Sequence, residues 1–133
     1  MAINVYWDTT DAAVLHLDFA GRYTWDEFDA KVETLVDLIA QAEYGVVVMV
    51  DMTCAAPMPP DGALEHLRRA VELAPANVEM SIIALEQNRF GRIMLNKVIS
   101  MYRQINDITM YVESVEAAYA LVANRRQNRR SYG

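Results

Sequence analysis

The sequence predicts an α/β fold of the order β-β-α-β-α-β-α-β-α: a five-stranded, mostly parallel sheet with an antiparallel N-terminal edge hairpin and four main helices. Three observations predict it. The hydrophobic period changes from two to 3.6 after Gly21. The run Val46-Val47-Val48-Met49-Val50 is apolar on both faces, as a central parallel strand covered on both sides must be. Strand-like and helix-like segments then alternate along the chain, which implies crossover connections and parallel pairing.

Each element has its own signal. Ile3 to Trp7 reads as a short strand, and Asp8-Thr9-Thr10-Asp11 as a turn. In the second strand Leu15, Leu17 and Phe19 alternate with His16 and Asp18, which predicts a half-exposed hairpin strand with one apolar and one polar face. Thr24 and Glu27 form a capping box, and Phe28, Val32, Leu35, Val36 and Ile39 make the apolar stripe of the helix it opens. Pro57, Pro59 and Pro60 exclude regular structure until Asp61, the expected N-cap of a helix carrying Leu64, Leu67 and Val71 and stopped by Pro75. Met80 to Leu85 is the next buried strand. Asn88 is expected to cap a third helix with the stripe Phe90, Met94, Val98, Met101, Tyr102 and Ile105. Ile108 to Val112 is the last strand, and Ser114 caps a last helix carrying Ala118, Tyr119, Leu121 and Val122. Met49, Met80, Met94, Met101 and Met110 all fall at expected core positions, where a flexible side chain fills gaps.

Length and composition bound the function. A chain of 133 residues with 53% hydrophobic and 23% charged residues has the size and composition of one folded domain. Residues 1–123 read as that domain and residues 124–133 as a frayed, arginine-rich tail with Arg125, Arg126, Arg129 and Arg130. The net charge is −6 despite those arginines, and so acidic a body disfavours nucleic acid as a partner. No apolar run approaches the roughly 20 residues of a membrane span, so no membrane insertion is expected. The N-terminus has neither the basic nor the apolar region of a secretory signal, which predicts a cytoplasmic location, and the single Cys54 fits a reducing compartment.

Two further stretches carry a family resemblance. One is the strand ending Val50-Asp51-Met52-Thr53, followed by a loop and a glycine-containing helix start; the other is Glu113-Ser114-Val115-Glu116-Ala117-Ala118 at the last helix. With the order of elements, these make the chain resemble, over nearly its whole length, the STAS domain shared by sulfate transporters and bacterial anti-sigma factor antagonists. The family's switch is an Asp-Ser-Ser-Gly motif at the start of the second helix, whose second serine a partner kinase phosphorylates. Matched on the glycine, this sequence reads Pro59-Pro60-Asp61-Gly62, with Asp61 at the serine's position. The resemblance thus implies the fold and the habit of binding proteins, with a fixed negative charge where the family toggles one.

In open parallel sheets ligands bind beyond the carboxyl ends of the strands. That edge is expected to hold Asp51, Met52, Thr53 and Cys54, then Met58, Asp61 and Gly62, with Asn88, Arg89 and Arg92 at the start of the third helix. Between Asp51 and Asp61 the segment is apolar and stiffened by proline, so it is either tucked onto the sheet end or offered to a partner. Asn88, Arg89 and Arg92 offer a helix start with positive charge to an anion. The expected function is a non-catalytic protein-interaction module with a protein partner, forming a homodimer. The alternatives are a carrier of small apolar ligands or lipids and an enzyme using Cys54 as nucleophile, with His66 the nearest base in sequence. No cofactor is expected: glycines at 21, 45, 62, 91 and 133 build no phosphate-binding loop, and Cys54, His16 and His66 lack zinc-site spacing.

Overall fold

A computed structural model describes residues 2–85 and 89–132, with side chains described as far as Arg125. Its elements are β1 (Ile3–Trp7), β2 (Val14–Gly21), α1 (Trp25–Gln41), β3 (Val46–Ala55), α2 (Ala63–Glu72), β4 (Val78–Ala84), α3 (Arg89–Ile99), α4 (Arg103–Asn106), β5 (Thr109–Val112) and α5 (Val115–Tyr132). The five strands lie side by side in sequence order, with β1 and β2 antiparallel and every later pair parallel. The expected α/β architecture is therefore present, with β3 at the centre of the sheet.

Sequential strand order has a geometric consequence. Crossovers of one hand, made always in the same direction along the sheet, put every crossover helix on one face. Phe28 and Val32 of α1, Ala63 and Leu67 of α2, and Val98 and Ile99 of α3 accordingly share one core with Leu17, Phe19, Met52 and Ile83. Alternation along each strand sends Val14, Val47, Met49, Met80 and Ile82 to the opposite face, where Ala118 and Val122 of α5 cover them.

That cover corrects the reading of β2. It is not a half-exposed strand: β1 and β3 flank it, and His16 on its polar side is only 4% exposed. The alternation of polar and apolar side chains is real, but α5 lies over the polar side.

Local chemistry explains the helix starts. Thr24 Oγ1 accepts from the Glu27 amide at 3.1 Å, as an N-cap should. The Glu27 carboxylate accepts from the amides of Ala2 and Ile3, tying α1 to the first strand. Ser114 Oγ accepts from the Ala117 amide at 3.1 Å and opens α5. Asp61, by contrast, is not the cap of α2. Gly62 is, in the left-handed conformation with φ 82°, and no side chain caps the helix. A Cβ there would be strained by the backbone and would approach the His66 ring to 3.1 Å, so the position suits glycine.

The third helix is also corrected. The stripe from Phe90 to Ile105 does not make one helix, because the chain leaves α3 after Ile99 and makes only the single turn α4 before β5. Gly91, Val98 and Ile99 are the buried residues of α3, while Phe90 is exposed and Met101 is 56% exposed. Met110, expected in the core, is 45% exposed on the edge strand β5. A four-residue edge strand has a neighbour on one side only, so alternation alone cannot bury its side chains.

Candidate functional site

The carboxyl edge of the sheet is built from the end of β3 and the loop after it. β3 pairs with β4 as far as Asp51↔Ala84, and with β2 as far as Gly21↔Ala55 after a register shift between Asp18 and Ala20. Residues Met52 to Ala55 thus run past the last paired residue of β4. Asp51 is half-buried, and its Oδ1 accepts from Thr53 Oγ1 at 2.7 Å and from the Thr53 amide at 2.9 Å, which closes the strand end. Cys54 is exposed, with Sγ 3.9 Å from Thr53 Oγ1.

Met52 and Met58 do not belong to this surface. They are 4% and 3% exposed and pack in the core with Phe28, Ala63 and Leu67. Met52 continues the inward series Val46, Val48 and Val50, and Met58 folds under the loop while Pro57 and Pro60 face outward. Of the two ways to place that apolar loop, the tucked one holds. Its outward residues are polar or structural: Asp61 and Gly62 are both exposed, and among the described residues no hydrogen bond or ion pair engages the Asp61 carboxylate.

The cationic side lies further along the sheet. Arg89 and Arg92 are exposed on the first turn of α3, and the Arg92 guanidinium stands 5.7 Å above the ring of Tyr111 on β5. Burial raises the Tyr111 phenol above its ordinary pKa, and Arg92 opposes that shift. Asn88 lies outside the described residues. Thr53, Cys54, Asp61 and Gly62 thus lie around β3 and α2, and Arg89 and Arg92 at the start of α3 beside β5.

His66 is not aimed at Cys54. Its Nδ1 lies 2.9 Å from Asp29 Oδ2, and its ring stacks on Trp25 at 5.0 Å with 1° between planes. Arg69 joins the same cluster through Asp29 Oδ1 at 3.8 Å and also pairs with Glu33 at 2.7 Å. Among the described residues no group of three or more His, Cys, Asp or Glu could hold a metal ion, and no helix is long and apolar enough to cross a membrane.

A second polar cluster, missed in the sequence, lies under α5. His16 Nε2 meets Asp8 Oδ1 at 2.7 Å, and the Tyr119 hydroxyl reaches the same oxygen at 2.7 Å. A carboxylate only accepts, so both partners donate. The other Asp8 oxygen accepts from the Thr10 amide and hydroxyl and the Asp11 amide. These bonds, with Tyr119 first and His16 next, hold the Asp8 carboxyl far below the ordinary carboxylate range. Burial and the bond to Asp8 push the Tyr119 phenol up to about 12. The Tyr6 ring stacks on His16 at 4.8 Å, and its hydroxyl donates to Asp18, which raises the phenol well above its usual value. The cluster joins the first turn, β2 and α5 across 111 positions of sequence. One signal for it was available: Tyr6 on one hairpin strand and His16 and Asp18 on the other fall on one face of the sheet, with Asp8 just past the end of the first. Tyr119 carried no such signal.

Neither a protein-family model nor a curated protein matches this chain.

Proposed function

We propose that the chain is a STAS-like, non-catalytic protein-interaction module of the cytoplasm, engaging its partner with the carboxyl edge of the sheet. Asp61 carries the reading. Its carboxylate is exposed and is not consumed in capping α2, so its negative charge is open to a partner. Met52 and Met58 turn inward, which leaves recognition to Thr53, Cys54 and Asp61, with Arg89 and Arg92 as a cationic contact. An exposed charge of this kind favours specificity and association rate.

The test uses charge at constant shape. In pull-downs from the native cell, Asp61→Asn is expected to recover at least about tenfold less partner than wild type, and Asp61→Glu to recover it nearly in full. Both changes are exposed and should alter stability by no more than about 0.5 kcal/mol. Equal recovery by wild type, Asp61→Asn and Arg89→Glu would place the contact elsewhere.

The same reading includes a homodimer, formed along the β5 side. Phe90, Ile93, Met101 and Met110 are exposed apolar side chains, all on the last crossover and the open edge strand. Light scattering is expected to give twice the 15.1 kDa chain mass, and Met110→Lys to shift it to the monomer. A mass of 15.1 kDa at every concentration tested would rule the dimer out.

A further inference from the structure

Between the sheet and the layer of α1, α2 and α3 lies a cavity of about 140 Å³ that is partly open to solvent. Its wall draws on every element around it: Phe28 from α1, Val50 from β3, Leu67 from α2, Ile83 from β4 and Leu95 from α3. Ser81 contributes the one hydroxyl among the lining side chains, and none of them is charged.

Volume and chemistry together say what fits. At about 30 Å³ per molecule the space would hold a few waters, but a buried water needs two to four polar partners and this wall offers very few. Apolar cavities of this size stay dry and take up compact apolar molecules, on the scale of a benzene ring or a xenon atom. An occupant of that kind restores the dispersion contacts that the lining atoms lack on their open side. A charged or strongly polar one would lose its hydration with nothing in return.

We propose that this cavity is a binding site for a small, compact apolar molecule of about six heavy atoms, with Met58 as an adaptable part of its wall. Met58 lines the cavity from the loop between β3 and α2. Its unbranched side chain has rotamer freedom that Val50 or Ile83 does not. Rotation of that one side chain lets the wall adapt to the shape of its occupant.

Benzene is the probe, added to the intact chain and followed by methyl chemical shifts and thermal unfolding. Saturable shifts at the methyl groups of Val50, Leu67 and Ile83 are expected. At ten times the Kd, Tm should rise by roughly 3–6 °C. Benzoate, the same ring with a charge, should bind at least tenfold more weakly. Ala70→Leu adds three carbons to the lining of α2 and should abolish the benzene shifts. Absence of saturable shifts in the wild-type protein, shifts confined to surface residues, or binding undiminished in Ala70→Leu would each overturn the proposal. The wild-type shifts decide the matter if Ala70→Leu does not fold. Asp61→Asn should leave benzene binding unchanged, so failure of the protein-interaction reading and failure of this one are separately visible.

Discussion

Met58→Asp is expected to unfold the domain. The side chain is 3% exposed among Phe28, Ala63 and Leu67, so the change removes an apolar group whose burial contributes about 1.5–3 kcal/mol. It also puts a carboxylate into an apolar cluster, at an effective cost of several kcal/mol more. The sum, about 5 kcal/mol or above, reaches the whole stability of a small domain. Met58→Leu keeps volume and polarity and should cost less than about 1.5 kcal/mol. Urea unfolding followed by circular dichroism separates the two variants. A Met58→Asp protein within about 1 kcal/mol of wild type would mean that Met58 faces solvent, and would return it to the contact surface.

Asp8→Ala is the other substitution with a large expected effect. It leaves the buried His16 and the Tyr119 hydroxyl without their shared acceptor and frees the amides of Thr10 and Asp11. Hydrogen bonds to a charged group contribute about 1.5–3 kcal/mol each and do not add, so a loss of about 3 kcal/mol is expected. For a chain of this size that lowers Tm by roughly 10 °C. The pH dependence carries the same signature. The Asp8 carboxyl is held far below its ordinary range when folded, so the unfolded chain binds its proton first as pH falls. Wild-type stability from this group is complete above the unfolded carboxylate pKa of about 4 and drains away below it. Asp8→Ala should be less stable at neutral pH and lose less on going from pH 5 to pH 3. An acid branch identical to wild type would remove Asp8 from the account.

The architecture was legible because its signals are local. Val46 to Val50 could only be an inner strand, and Thr24 and Ser114 are short polar side chains placed just where a periodic stripe begins. The misreadings come from what packing decides. Asp61 is as good a cap as Gly62 by residue type, but the chain needs a left-handed turn there. The stripe from Phe90 to Ile105 has the right spacing for one helix; spacing cannot show where a helix must stop to reach β5. The candidate site was half legible. Topology put Thr53, Cys54 and Asp61 at one edge, whereas the inward turn of Met58 depends on a cavity that no local pattern records. Asp8, His16 and Tyr119 meet only after the chain has closed on itself, and nothing near Tyr119 in sequence announces that meeting.

The single-helix cover of one sheet face also bears on how the chain is made. α5 is synthesised after every strand it covers, so Val47, Met49, Met80 and Ile82 leave the ribosome with one face of their sheet open. At roughly 5–20 residues per second, the stretch from Leu85 through Val122 takes roughly 2–8 s to follow. Through that interval the nascent sheet presents an apolar surface that chaperones or neighbouring chains can bind. Newly made protein should therefore be most prone to aggregate just before its final helix is complete.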